Sequence, residues 1–321
     1  MIIKNKSILI TGVAGFIGCH LARHYLDQNY HVIGIDNFSS GTKKNIEGLK
    51  NQFADQFIFF ELNVISEWNF LVDLKLENLC YVFHLASIAS VPHYQKQSLE
   101  TLLANSVGLM NALKAADNLK ARLIFSSTSE IYGDPTVHPQ PESYFGNVNS
   151  FGPRACYDEG KRFGEALIYS HNERYKTRHG LVRIFNTYGP RMNPDDGRVL
   201  IHFISQALKG EPLTIHGDGQ QTRSFCYIDD MINGLVKYAN SDITTPINLG
   251  NDHEISILDI ACFIKKTLKS NSEVIHLDHL KDDPRQRRPD LSLAQEKLSY
   301  APQVSLEEGV LKMAEWVKSN N

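Results

Sequence analysis

The sequence predicts an α/β fold: a doubly wound parallel sheet followed by a smaller C-terminal lobe. Three observations predict it. Short β-branched apolar runs alternate with amphipathic stretches from residue 7 to about residue 126, a glycine-rich turn joins the first run to the first such stretch, and beyond residue 186 the texture changes to shorter elements and loops. Alternation of this kind marks βαβ units, in which buried strands are covered by helices. With 321 residues, 42% of them hydrophobic, the chain can bury a core for two lobes, residues 1–186 and 187–321, with some crossing of the chain between them.

The first strand is "SILIT", and the turn that follows it, "TGVAGFIG", places Gly12, Gly15 and Gly18 ahead of a helix near residues 16–28. Glycines there permit a tight turn and a close backbone approach. The helix N-terminus behind them offers free N–H groups and a partial positive charge to a pyrophosphate. The second strand, "HVIGI", runs into Asp36, 18 residues beyond Gly18. A carboxylate at that strand end accepts both adenosine ribose hydroxyls and repels a 2′-phosphate, which favours NAD over NADP. Strand, glycine turn, helix and acid together make the sheet a Rossmann-type one. "FIFFE" and "YVFHLA" follow as buried strands, then a helical segment near 98–117, then "RLIFSS". A long helix is expected over about 155–178 and another buried strand at "GLVRIFN"; after "NTYGPRMNPDDGR" come isolated strands such as "LTIHG", as suits a substrate-binding lobe.

Composition narrows the function. The 33 Lys and Arg residues against 36 Asp and Glu give a net charge of -3 with no dense basic stripe, so nucleic acid is not an expected partner. Cys19, Cys80, Cys156, Cys226 and Cys262 are scattered without CxxC spacing. Neither a disulfide framework nor a metal site is expected, which fits a cytoplasmic protein. The opening "MIIKNKSILITGVAGFIG" has the basic-then-apolar order of a signal peptide, but its glycines interrupt the apolar run. No other stretch approaches the roughly 18 apolar residues of a membrane span.

The stretch "SSTSEIYG" ends the "RLIFSS" strand in hydroxyls and a carboxylate. In a doubly wound sheet the reacting groups sit beyond the carboxyl ends of the strands, so these side chains are expected in the cleft. In "ACYDEGKRFGEA", Tyr157 and Lys161 are four residues apart and share a helix face. Lowering a tyrosine pKa from about 10 to about 7 takes roughly 4 kcal/mol at 1.36 kcal/mol per unit. The expected sources are the Lys161 ammonium and an oxidised nicotinamide.

The GxxGxxG spacing and the Tyr157/Lys161 pair resemble the extended short-chain dehydrogenase/reductases, the NAD-dependent epimerase/dehydratase family. The likeness covers nearly the whole chain. "STSEIYGDPTVHPQ", "GNVNSFGPRACYDEGKR", "RIFNTYGPRMNPDDGRV", "LTIHGDGQQTRSFCYIDD" and "DDPRQRRPD" are most similar to its UDP-glucuronate decarboxylases. The resemblance implies catalytic roles for Thr128, Glu130, Tyr157, Lys161 and Arg287. It implies NAD contacts from Gly12, Gly15, Phe16, Ile17, Gly18, Asp36, Asn37, Asn63, Val64, Leu85, Ala86, Asn105, Tyr157 and Lys161. It further implies that Asn186 and Arg223 approach the diphosphate of a UDP-sugar, that Arg198, Val199 and His216 lie near the nucleotide, and that the chain forms a homodimer through a four-helix bundle containing the Tyr157 helix. Glu130 would add proton chemistry that simple 4-epimerases lack. Ser129 stands where 4,6-dehydratases carry an aspartate. Ile88 and Val91 in "IASVPHY" and Ser150 in "VNSFGPRACY" depart from the prolines usual in the decarboxylases, and Asn63 replaces an aspartate that commonly contacts adenine. A dehydratase or 4-epimerase acting on UDP-N-acetylglucosamine or another hexose therefore stays open, as does a non-catalytic dinucleotide sensor, although sensors generally lose the tyrosine or the lysine.

Overall fold

A computed structural model describes residues 2–279 and 284–320. Its main sheet has seven parallel strands: β1 Ser7–Thr11, β2 His31–Asp36, β3 Phe57–Glu61, β4 Leu79–His84, β5 Arg122–Thr128, β6 Gly180–Ile184 and β7 Ile247–Leu249. Their spatial order is β7-β6-β5-β4-β1-β2-β3. The order reverses between β1 and β4, which opens a crevice at the carboxyl ends of those strands. β1 is buried at every position, as its uninterrupted apolar run predicts.

α1, Phe16–Asp27, starts directly from the glycine turn and buries Leu21, Ala22, Tyr25 and Leu26 against the sheet. The helical stretch expected near 98–117 is divided into Ser98–Leu103, a π-helical turn Ala104–Gly108, and α2, Leu109–Asn118. Such a turn inserts one residue into the helical ladder, a feature that a 3.6-residue pattern does not announce. α3, Ala155–Tyr175, ends with Lys176 in the left-handed region. α4, Val199–Lys209, is closed by Gly210 at φ 70°, and α5 spans Ile228–Ala239.

Beyond residue 187 the chain returns to the main sheet as β7, paired with β6. It also forms small sheets, including a three-stranded one in which Thr222–Ser224 lies between Glu254–Ser256 and Gln286–Arg287. One apolar cluster continues from β1 and α1 into α4 and α5, so both halves of the chain share a core.

At the far end of the sheet Asp117 bridges His171, at 3.0 Å, and His179, at 3.1 Å. The Leu123 N–H donates to Nδ1 of His179 at 3.0 Å, which keeps that ring's proton on Nε2 and directs it to Asp117. The group is a hydrogen-bonded clasp between α2, α3, β5 and β6. No helix among the described residues is long and apolar enough to cross a membrane.

Candidate active site

A cleft of about 700 Å³ lies across the carboxyl ends of the strands and reaches into the C-terminal lobe. Its walls include Gly12, Gly15, Phe16, Ile17, Gly18, Asp36, Asn37, Asn63, Val64, Leu85 and Ala86 on one side. Thr128, Glu130, Tyr157, Lys161, Asn186, Arg198, Val199, His216, Arg223 and Arg287 complete it. The sheet thus gathers all but one of the site residues expected from sequence. The exception is Asn105, which is fully buried in the π-helical turn and donates to Ser87 Oγ and the Thr101 carbonyl, both at 2.9 Å.

The glycine turn is built by backbone contacts. Gly12 has φ +73°, and a Cβ there would lie 2.8 Å from the Ala86 nitrogen. A Cβ on Gly18 would lie 2.1 Å from the Gly12 carbonyl oxygen, whereas one on Gly15 would meet only that same oxygen, at 3.1 Å. The Ala86 N–H donates to Thr11 Oγ1 at 3.2 Å, and Thr11 bonds His84 Nδ1 at 2.9 Å, tying the β1 turn to the end of β4. His84 is wholly buried, and burial followed by the Lys161 charge pulls its pKa down to about 3, so it stays neutral.

Asp36 accepts the Ala14 N–H at 2.9 Å on one carboxyl oxygen and the Phe38 N–H at 2.8 Å on the other. Burial raises its pKa, and the backbone donors oppose that rise. Each oxygen keeps a lone pair for a further donor. A turn without room for Cβ atoms, a helix N-terminus and an anchored two-oxygen acceptor fit a dinucleotide. Asn63 accepts the Ile65 N–H at 3.3 Å through its carbonyl oxygen, which leaves its amide donors for other partners.

The polar end of β5 is divided among several partners. Lys161 Nζ donates to the Ser126 carbonyl at 2.6 Å, and Ser126 Oγ donates to the His84 carbonyl at 3.1 Å. Ser127 donates to Glu165, which is held by Arg183 through bonds of 2.8 and 3.0 Å. Thr128 accepts the Glu130 N–H at 3.2 Å and lies beside the Tyr157 hydroxyl. Tyr94 stacks parallel to Tyr157 with ring centroids 5.3 Å apart, and Ile88 packs with both rings. Burial pushes the Tyr157 phenol up to about 12; the Thr128 hydroxyl opposes the rise and the Glu130 charge adds to it. Burial alone brings Lys161 down to about 7. Its amino group, bonded to the Ser126 carbonyl, lies 5.7 Å from the centroid of the Tyr157 ring.

Glu130 is clamped by two arginines. Arg287 makes a bidentate pair with it, one arm at 3.0 Å, and Arg154 bonds the same carboxylate from the start of α3. Burial resists ionisation, but the two guanidiniums outweigh it and hold the carboxyl well below the usual range. Glu130 is therefore an anchored anion in the resting site. Arg287 is 4% exposed and not part of a solvated charge run; its strand pairs with Thr222–Ser224, where it stands opposite Arg223. Arg154 was not singled out from sequence. Its signal was the three-residue spacing to Tyr157 in "RACY", which puts both on one side of a helix start. Arg198 pairs with Asp196 at 2.6 Å and lies close enough to lower the Tyr157 pKa, while His216 bonds the Asp278 carbonyl at 3.0 Å. Ile88 and Val91 line the cleft, whereas Ser150 is exposed and outside it.

A crevice at the reversal point of a doubly wound sheet, with a buried tyrosine and lysine at its floor, is that of a dinucleotide-dependent enzyme. The chain belongs to the NAD-dependent epimerase/dehydratase family, whose model matches residues 8–250. UDP-glucuronic acid decarboxylase 1 of Xenopus tropicalis is 44% identical over 308 residues, 96% of this chain and 71% of that protein. UDP-glucuronic acid decarboxylase 6 of Arabidopsis thaliana is 44% identical over 313 residues, 97% of this chain and 89% of that protein. Among solved structures, UDP-glucuronic acid 4-epimerase from Bacillus cereus in complex with UDP-glucuronic acid and NAD aligns with a TM-score of 0.86 at 30% identity, covering 98% of this chain and 100% of that one. UDP-glucose 4-epimerase from Thermotoga maritima aligns with a TM-score of 0.89 at 28% identity, covering 98% and 99%.

Proposed function

We propose that the protein decarboxylates UDP-glucuronate to UDP-xylose through a 4-keto sugar, with NAD restored in each turnover. The observation that carries this reading is the buried Arg287 guanidinium, anchored by Glu130 in the wall of the cleft that also holds Tyr157. A sugar carboxylate, one carbon from the carbon to be oxidised, complements a guanidinium fixed in that place. The decarboxylase relatives, similar along nearly the whole chain, support the same substrate.

Gly12, Gly15 and Gly18 with Asp36 would hold the dinucleotide, with Asn37, Asn63, Val64, Leu85 and Ala86 along it. Asp36 favours NAD over its 2′-phosphate. When bound, NAD takes a hydride from sugar carbon 4 and later returns it. Tyr157 accepts the hydroxyl proton from carbon 4, with Thr128 orienting that hydroxyl, and gives it back at the end. Lys161 stabilises the tyrosinate once the site is filled and its own charge is favoured. Arg287, held in place by Glu130, orients the sugar carboxylate. The ketone β to it accepts the electrons of the breaking carbon–carbon bond, and exclusion of water favours the loss of carbon dioxide. Asn186, Arg223 and His216 would hold the nucleotide diphosphate, with Arg198 and Val199 beside the cleft entrance to α4.

The test is incubation of the purified protein with UDP-glucuronate and, separately, UDP-N-acetylglucosamine, followed by mass measurement of the products. The expected outcome is a product lighter by one carbon dioxide from UDP-glucuronate without added NADH. An unchanged mass with altered stereochemistry would identify an epimerase, and loss of water from the acetylated sugar a dehydratase; either result, without carbon dioxide release, overturns the reading.

A further inference from the structure

We infer that Asp158 passes a solvent proton to Glu130, and so to the decarboxylated carbon, from a second cavity behind the cleft. This rests on the decarboxylase reading. Loss of carbon dioxide from a carboxylate consumes one proton: the electron pair of the broken carbon–carbon bond, held for a moment in the enolate, ends in a new carbon–hydrogen bond. Tyr157 cannot be the net source, because the proton it takes from the carbon 4 hydroxyl is returned there. One proton per turnover must therefore reach a closed cleft from solvent.

The second cavity, about 280 Å³, is lined by Asp158, Asp134, Asn147 and Asn149 and shares Glu130 and Arg154 with the main cleft. Asp134, Asn147 and Asn149 are exposed, so it opens to the surface. Tyr157 and Asp158 are consecutive on α3, about 100° apart around the helix, so one serves the cleft and the other the cavity. Asp158 is 5% exposed, and its Oδ1 has no hydrogen-bond partner among the described residues. The two neighbouring carboxyls therefore differ in kind. Glu130 is bonded by two guanidiniums and stays ionised, while Asp158 is pushed up to about 7, by burial first and by Glu130 second. Arg154 and Arg287 oppose that rise and Glu159 adds to it; Tyr94, Cys156 and Tyr157 are the other titratable groups near Asp158. The carboxyl whose pKa is raised thus lines the cavity that opens to solvent, and the ionised one is shared with the cleft. Asp158 gives its proton to the Glu130 carboxylate, Glu130 passes that same proton to the enolate carbon and is an anion again, and the cavity reprotonates Asp158.

The test uses the intact enzyme. The protonated form of Asp158 is the donor, so wild-type kcat with UDP-glucuronate is expected to fall as pH rises through about 7. Asp158→Asn, equal in size, is expected to lower kcat at least about tenfold with KM little changed, to abolish the inflection near pH 7, and to show a burst of one carbon dioxide per site before slow product formation. Asp158→Glu is expected to restore part of the rate and the inflection. A structural lesion would slow all steps together and give no burst. Wild-type kcat without an inflection between about pH 6 and 8 would overturn the relay even if Asp158→Asn failed to fold, as would an Asp158→Asn enzyme with wild-type kcat. Wild-type protein that releases no carbon dioxide at any pH would overturn the decarboxylase reading and the relay with it.

Discussion

At the scale of single residues, burial and pairing decide which groups carry charge. Tyr157 and Lys161 are both driven toward their neutral forms by desolvation, so the resting site stores an unfavourable arrangement. Tyr157→Phe is expected to lower turnover at least about 10²-fold while NAD binding, followed by titration, persists, because the ring and its stacking on Tyr94 remain. Lys161 has the opposite relation to stability. Its pKa is about 7 in the fold against 10.5 unfolded, so the unfolded chain binds the extra proton between those values and stability rises with pH there. Lys161→Met is expected to abolish activity yet raise unfolding stability by about 1–2 kcal/mol at pH 7, with the gain shrinking toward pH 10. Thermal unfolding of both proteins across that range measures it, and equal curves at pH 7 would refute the assignment of cost.

At the scale of elements, the glycine turn separates two requirements that sequence alone merges. Gly18 lets α1 approach the β1 turn, whereas Gly15 only leaves room at the cleft wall. Gly18→Ala sets a Cβ against a backbone carbonyl that cannot step aside, and destabilisation of about 3 kcal/mol or failure to fold is expected. Gly15→Ala is expected to fold with near-native stability and lose NAD affinity. Denaturant unfolding paired with NAD titration on both variants distinguishes them, and equal instability would remove Gly15 from the binding role. α3 works as a single element in the same way: its N-cap and first two turns supply Arg154, Tyr157, Asp158 and Lys161 to two cavities, and its polar N-terminal residues are buried for that reason.

At the scale of the whole molecule, the segment Ser98–Leu103, α2 and α3 leave Leu99, Leu102, Met110, Phe163 and Tyr169 exposed on helices that pack together. We propose that a second copy of the chain covers this surface, each subunit contributing the same helices about a two-fold axis. Leu99→Glu combined with Phe163→Glu is expected to give a folded monomer, whereas the wild type sediments as a dimer; a wild-type monomer at micromolar concentration would end the proposal. Both side chains are exposed in the subunit, so loss of association is separable from loss of folding.

The pieces legible without a structure are those whose geometry is local. Strand runs, the glycine turn, Asp36 at a strand end and the Tyr157/Lys161 pair all follow from periods of two or about 3.6 residues, and the strands they predict are six of the seven in the observed sheet; the seventh, β7, comes from the C-terminal half of the chain. The pairing of Glu130 with Arg287 joins residues 157 apart, and no local period encodes it. The same holds for the burial of Asn105, the exposure of Ser150, and the division of charge between Glu130 and Asp158. Desolvation and ion pairing depend on what the rest of the chain brings alongside a group, so two carboxylates alike in sequence become an anchored anion and a proton carrier only when the tertiary packing gives one of them both arginines.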